Sequence, residues 1–345
     1  MAMKKYNKLI ITNIISFYKV NLYNKLNEKE RIKVIFISSG SRIREGDFSG
    51  DLMTFDHVVL NESYFESRNK ISTFFKLVKE IFRFDYEFIL FSGWEIVEAI
   101  PFLLNRRSRN GIVIESSIKE TNLTGYKGIL KRLIVSRVKY AFPSGILQSE
   151  ILSALGFKGT IKHTHGVGIT SLMQVSTIRK ERKTYRYLYV GRISQEKNID
   201  YLVQTFNNNG RELTIVGNGP DLHFLKEKAN ENIKFTGYIN NSELDEIYLN
   251  HDVFILPSIS EPWGLVIDEA IMYGLPVIVS ENVGCASDMV IKPKTGLVFK
   301  LGSNLEKELR EIEYNYLYYS NNSLKFDFDI RDRNQVESYI INKNE

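Results

Sequence analysis

The stretch "SEPWGLVIDEA", Ser260–Ala270, sets Glu261 and Glu269 eight positions apart around a Pro-Trp-Gly. It follows "VFILPS", which reads as a strand, and Gly264 opens a helical pattern. In a doubly wound sheet, ligands bind beyond the carboxyl ends of the strands. A helix that starts there presents unpaired N–H groups and the positive end of its dipole, which together hold phosphate. Gly264 removes side-chain bulk where a phosphate would approach. Glu269, four or five residues into the helix, lies on roughly the same face as those amides. It is too far along to meet the same phosphate, but it is placed for hydroxyls of an attached ribose. Glu261, before the helix, faces the other end of the ligand. Two carboxylates about a nucleotide diphosphate apart suit a nucleotide-sugar. Taken singly, Glu261 also reads as a helix N-terminal charge and Glu269 as an exposed helical residue.

A second group falls on the same edge. "YVGRISQEKNIDYLV" puts Arg192 and Lys197 in the loop after another strand, where a guanidinium and an ammonium would neutralise a departing diphosphate. The plain alternative is a solvated turn before a helix. "IVGNGP" and "FTGYI" add glycine turns after the next two strands, which would let main chain approach a base or be tight turns only. Gly217-Asn218-Gly219 is not a G-x-G-x-x-G fingerprint, so no dinucleotide cofactor is predicted.

The series "VGRISQEKN", "IVGNGP", "FTGYI", "SEPWGLVIDEAIMYGLPVIVSENVG" and "TGLVF" resembles the donor domain of retaining GT-B glycosyltransferases of family 4, over about residues 185–300. The resemblance implies two Rossmann-like doubly wound domains facing across a cleft, a nucleotide-sugar donor in the second, and catalysis in the cleft. It implies that Arg192 and Lys197 bind the donor diphosphate, and that Glu261 contacts the transferred sugar and steadies charge at its anomeric carbon. It further implies that Glu269 binds the ribose, that backbone at Gly264 and Leu265 meets phosphates or sugar, and that Gly217, Tyr238 and Ile239 lie along the base. Such enzymes need no metal and no cofactor beyond a UDP- or GDP-sugar. Retention then needs no covalent sugar on Glu261, and the leaving phosphate takes the acceptor's proton. "DFD", residues 327–329, lies in a polar tail rather than a metal-binding loop.

The first half departs from that pattern. The glycine-rich loop often found after the first strand is replaced by "TNIISFYKVNLYNKL", with Tyr18-Lys19 as the remnant of a Pro-Tyr-Arg-like element. No histidine stands where "IESSIKET" lies, although many members carry one there beside the donor sugar. His165, in "HTHGVG", reads as a structural residue near the hinge more than as a proton carrier.

These residues need scaffolds, and 345 residues allow two domains. The predicted strands of the first half are "KLIIT", "IKVIFISS", "HVVL", "YEFILFS", "GIVIES" and "GILQS", with helices at "NKISTFFKLVKEIFRF" and "EIVEAIPFLLNRR". In the second half "YRYLYVG", "ELTIVG", "IKFTG", "VFILPS" and "LPVIVS" alternate with "NIDYLVQTFNN", "DLHFLKEKANE", "SELDEIYLN" and "GLVIDEAIMYG". Ser242 and Asp245 suggest an N-cap for the third of these helices. Continuous Val/Ile-rich strands between helices mean parallel sheets covered on both faces. The predicted division is an acceptor-binding domain over 1–170, a donor-binding domain over 171–318, and a closing helix or loose tail over 319–345.

No apolar run reaches the ~20 residues of a membrane span, and the start reads as a buried strand rather than a leader. The lone cysteine, Cys285, reads as a buried apolar residue and fits a reducing compartment. Net charge is +10 over residues 1–170 and −5 over the rest. Basic, apolar stretches at 69–84 and 125–142, both read as helices, could lie on anionic lipid, or pack on the sheet with solvated cations. No nucleic-acid-binding module is present. The expectation is a cytoplasmic enzyme, peripheral to the inner face of the membrane, that extends a lipid-linked oligosaccharide in O-antigen or capsule assembly. The alternatives are a nucleotide-sugar epimerase of the same fold and a non-catalytic partner subunit.

Overall fold

The computed structural model describes residues 4–42, 53–103, 109–170, 174–175, 179–240 and 243–341. It divides into two compact units, Met1–Ser171 with Ile330–Glu345, and Leu172–Asp329.

The first unit is built on a parallel sheet of β1 (Lys5–Ile14), β2 (Ile32–Ser38), β3 (Asp56–Val59), β4 (Asp85–Ser92), β5 (Asn110–Ile114), β6 (Tyr140–Pro143) and β7 (Thr160–Ile161). Their order is β3-β2-β1-β4-β5-β6-β7, so the chain winds outward from β1, returns, and winds the other way from β4. All of β2 and β5 is buried, which is why these segments read as unbroken apolar runs. Helix α1 (Phe17–Lys29) covers one face with Val20, Leu22 and Leu26. Helices α2 (Lys70–Arg83), α3 (Ile100–Leu103), α4 (Gly125–Arg137) and α5 (Ile146–Ala154) cover the other, through Leu77, Ile81, Leu103, Ile134 and Ile151. Asn69 caps α2, its side chain accepting the Ser72 N–H at 3.0 Å.

The second unit carries β8 (Arg186–Val190), β9 (Glu212–Val216), β10 (Ile233–Gly237), β11 (Val253–Leu256), β12 (Val277–Ser280) and β13 (Gly296–Phe299) in the order β10-β9-β8-β11-β12-β13. Between and after them run α6 (Ile199–Asn209), α7 (Leu222–Lys228), α8 (Leu244–Asn250), α9 (Leu265–Met272), α10 (Glu306–Tyr314) and α11 (Tyr316–Lys325).

Three expectations are corrected. The 125–142 stretch is helical only to Arg137. There Asn110 donates to the Arg137 carbonyl at 3.2 Å and accepts the Lys139 N–H at 3.3 Å. The chain is thereby turned out of the helix and paired as β6, Gly111 beside Tyr140. "GILQS" is accordingly not a strand: Gly145 is extended and α5 begins behind it. The predicted 95–107 helix starts instead as a 3₁₀ turn at Val97–Ala99 that runs into α3, with 104–108 outside the described residues. Ser242, the predicted cap, also lies outside them, and Asp245 instead accepts the Tyr273 hydroxyl.

The 319–345 stretch is shared between the units. Ser320 and Ser323 of α11 donate to the Gly274 and Leu275 carbonyls at 2.8 and 3.0 Å. Helix α12 (Phe328–Tyr339) then returns the chain to the first sheet. Tyr339 stacks on Phe142, and its carbonyl accepts from the buried Lys8 ammonium at 2.6 Å.

Candidate functional site

In each sheet the winding direction reverses beside its first strand, at β1/β4 and at β8/β11. Loops leaving two such strands at their carboxyl ends part in opposite directions and leave a crevice. In the second unit the residues around the crevice are laced together. The Gly191 N–H donates to Val216 O at 3.0 Å, the Ile193 N–H to Asn218 O at 2.8 Å, and the Gly217 N–H to Gly237 O at 2.8 Å. Neighbouring loops thus continue the ladder past the strands. Gly217 has φ +133°, and a Cβ there would lie 1.9 Å from the Gly191 carbonyl. The neighbouring loop by itself already demands a glycine here.

The loop after β8 makes a 3₁₀ turn over Gln195–Lys197, and Asn198 takes a left-handed φ of 58°. The Asn198 side chain donates to Pro257 O at 3.2 Å, and the Ile259 N–H donates to Glu196 O at 2.8 Å. The loops after β8 and β11 are therefore joined across the crevice. This brings Lys197 onto Glu261, whose carboxylate accepts from its ammonium, with side chains only 20% and 13% exposed. Tyr189 lies beneath them. Burial, and next the Glu261 charge, hold its hydroxyl well above the ordinary tyrosine range, and it donates to Arg192 O at 2.8 Å. Arg192 itself is exposed at the rim.

Glu261 is also held through its backbone. Its carbonyl accepts the Gly284 N–H at 2.8 Å, and the Trp263 carbonyl accepts the Cys285 N–H at 3.0 Å. The segment thus rides on the loop after β12. Gly264 closes the turn at φ +101°, a conformation that favours glycine, and α9 starts at Leu265. Glu269 faces inward, 8% exposed, where its carboxylate accepts the Tyr248 hydroxyl at 2.7 Å. The reading of Glu269 as an exposed helical residue is thereby excluded. Tyr248 is stacked on Tyr273, with ring centroids 5.1 Å apart. Burial, then Glu269, raise its pKa well above the usual value, so it stays a donor. Tyr238 is half exposed, with Ile239 beside it, just past β10. That is two strand spacings from β8, about 10 Å.

The structure thus brings Lys197 and Glu261 into contact, sets Gly264, Leu265 and Glu269 on one helix start, and leaves Arg192, Tyr238 and Ile239 on the same sheet edge. Tyr248 was not anticipated: it sits in an ordinary helical pattern, and only its long-range contact marks it. Cys285 is fully buried, as expected. His165 is exposed in the first unit, at φ 56°, its ring 6.3 Å from that of His163. Among the described residues no three His, Cys, Asp or Glu gather to hold a metal ion.

Residues 173–321 match the family model described as Glycosyl transferases group 1. A GDP-mannose-dependent alpha-mannosyltransferase of Mycobacterium tuberculosis is 35% identical over 114 residues, 33% of this chain and 30% of the relative. The lipopolysaccharide outer core galactosyltransferase WaaB, in apo form, matches with a TM-score of 0.71 at 13% identity, covering 97% of this chain and 98% of that one. The Anabaena Alr3699/HepE structure in complex with UDP and glucose matches with a TM-score of 0.65 at 14% identity, covering 98% and 95%. The aligned stretch spans about a third of the length of the curated relatives. The structural likeness shows the fold: two Rossmann-like parallel-sheet units of the GT-B type. Within that fold, residues 173–321 form a domain of the glycosyl transferases group 1 family.

Proposed function

We propose that this chain is a metal-independent, retaining glycosyltransferase that moves a sugar from a UDP- or GDP-sugar to an acceptor hydroxyl. The observation that carries the reading is the Lys197–Glu261 pair at the sheet reversal, beside the start of α9, in a group 1 domain. A donor diphosphate placed over the first α9 amides meets Lys197 and Arg192. Lys197 then exchanges a carboxylate partner for a phosphate, and Glu261 is left facing the sugar. As the bond from the anomeric carbon to the phosphate oxygen breaks, negative charge grows on the diphosphate and positive charge on the sugar. Cations and helix amides stabilise the first, and Glu261 stabilises the second, more in the transition state than in the ground state. The acceptor oxygen forms the new bond, and its proton passes to the departing phosphate. Glu269, oriented by Tyr248, takes the ribose hydroxyls.

We place the acceptor on a lipid-linked oligosaccharide of surface polysaccharide assembly, met at an anionic membrane by the first unit. Two features support this. The first half of the chain is strongly basic. The outward faces of α2 and α4 also expose Ile71, Phe75, Phe82, Tyr126 and Ile129, each by 65% or more. Those residues do not pack on the sheet, whereas Leu77, Ile81 and Ile134 of the same helices do. Among the described residues no helix is long and apolar enough to cross a membrane, so the contact is peripheral in this reading.

Thermal melts against UDP-, GDP-, ADP- and CMP-sugars without metal test the donor site. Stabilisation by one nucleotide class, lost in Arg192→Ala and Glu269→Ala, is expected, and no stabilisation by any would overturn it. A ligand at about 100 times its Kd contributes ~2.7 kcal/mol, which a melt resolves.

A further inference from the structure

The two helices that frame Glu269 end on one guanidinium. Helix α8 carries Tyr248 and α9 carries Glu269, and the Tyr248 hydroxyl donates to that carboxylate at 2.7 Å. Arg179, in the segment before β8, reaches the point where both helices finish. Its Nε and Nη2 donate to the Tyr273 carbonyl, just past α9, at 3.1 and 2.8 Å. Nη2 also donates to the carbonyl of Tyr248 itself at 2.9 Å. Nη1 donates to the Leu249 carbonyl at 3.4 Å and to the His251 carbonyl just beyond α8. All five N–H groups of the fork are thereby spent on main chain.

The last carbonyls of a helix lack partners within it and carry the negative end of its dipole. Two such ends side by side repel each other, and a cation between them turns the contact attractive. Burial pulls the Arg179 pKa down, but a guanidinium starts high enough to stay charged. Asp252, whose charge also acts on it, is already held by Arg182 at 2.8 Å and Arg186 at 3.5 Å. The carbonyls are therefore what Arg179 serves. The effect reaches Glu269 through Tyr248. The Tyr248 ring stacks on that of Tyr273, with centroids 5.1 Å apart, and Arg179 anchors the main chain of both residues. The Tyr248 hydroxyl meets Glu269 only while α8 and α9 keep that spacing.

We propose that Arg179 is a positioning residue for ribose recognition: by tying the ends of α8 and α9 together, it holds Tyr248 against Glu269 and so sets where that carboxylate meets the ribose hydroxyls. This rests on the transferase reading, in which Glu269 takes the ribose. Arg179 itself touches neither nucleotide nor sugar. A clamp that only stabilised the fold would weaken every nucleotide alike. One that acts through Glu269 weakens only those that carry ribose hydroxyls.

The test is isothermal titration of the full chain with UDP, GDP and their 2′,3′-dideoxy counterparts. For the nucleotide that binds, the ratio of the two Kd values reports the ribose contact and does not depend on the fraction of protein folded. In the parent the dideoxy form should bind about tenfold or more weakly, the scale of a lost hydrogen bond to a charged group. In Arg179→Met that ratio should fall to about threefold or less, through weaker binding of the ribonucleotide, with dideoxy affinity within about twofold of the parent. Arg179→Lys keeps the charge, but one ammonium does not span the same carbonyls, so its ratio should fall as well. That variant carries the test if Arg179→Met does not fold. A ratio as large as the parent's in the folded variants would overturn the proposal, as would equal weakening of both nucleotide forms. A parent that binds no ribonucleotide, or does not distinguish it from the dideoxy form, would instead sink the donor reading at Glu269, and the proposal with it.

Discussion

In the structure Lys197 is neutralised by Glu261, so under the proposed function a donor diphosphate must compete for it. Removing the carboxylate charge with Glu261→Gln therefore has opposite effects on binding and on chemistry. For binding, the variant frees Lys197 and deletes a negative charge near the phosphates. A carboxylate roughly 8 Å from a unit negative charge costs about 2 kcal/mol at an effective dielectric of ~20. The pair is 13–20% exposed, and salt at about 0.15 M screens over ~8 Å, so about half of that is expected to survive. UDP or GDP should thus bind Glu261→Gln about three- to tenfold more tightly than the parent, a gain of ~0.7–1.4 kcal/mol. Lys197→Met should weaken the same nucleotide by about tenfold or more. For chemistry, loss of the charge facing the anomeric carbon should lower transfer by about 10²–10³. Isothermal titration with the free nucleotides, at low and physiological salt, reads the first effect, and single-turnover transfer reads the second. Nucleotide binding weakened by Glu261→Gln would show that Lys197 does not change partners. Full transfer activity in that variant would remove Glu261 from the reacting centre.

Other perturbations probe the supports of the site. Tyr248→Phe removes one hydrogen bond to the buried Glu269 carboxylate, which should cost about 1.5–3 kcal/mol and lower Tm by about 3–12 °C. An unchanged melt would mean that the hydroxyl carries no load. Gly217→Ala drives a methyl group into the Gly191 carbonyl, so a melt lowered by several degrees and a lost nucleotide shift are expected. The buried hydroxyls of Tyr189 and Tyr248 have raised pKa values in the folded state. Their stabilisation is complete below the unfolded value of about 10, and is lost as pH rises beyond it, because the unfolded chain ionises first. Melts between pH 8 and 11 should therefore fall above pH ~10, and less steeply in Tyr248→Phe. Flotation with anionic vesicles should be strong for the parent at low salt, and much reduced in Phe75→Ser/Phe82→Ser with Tm unchanged. Equal flotation would remove α2 from the membrane-facing surface.

What the sequence determined by itself was whatever repeats locally. Apolar runs such as "IKVIFISS" and "VFILPS" alternate with helical patterns, and that alternation specifies parallel sheets covered on both faces. The second unit was the more legible, because its loops keep residue types that geometry demands, such as the left-handed Gly264 before α9. Where a boundary depended on a distant partner, local pattern failed. Residues 138–149 could continue a helix or begin a strand, and it was Asn110, from another strand, that ended α4 at Arg137. The polar α12 showed no clear allegiance until Lys8 and Phe142 received Tyr339. The pairs on which the proposed chemistry rests belong to the same class. Lys197 meets Glu261 across 64 positions, and Tyr248 meets Glu269 across 21. Each is an electrostatic or hydrogen-bonded contact between distant segments, and its strength depends on burial and distance. Those quantities exist only once the strands are side by side, so residue types announced the candidates and the tertiary structure alone chose their partners.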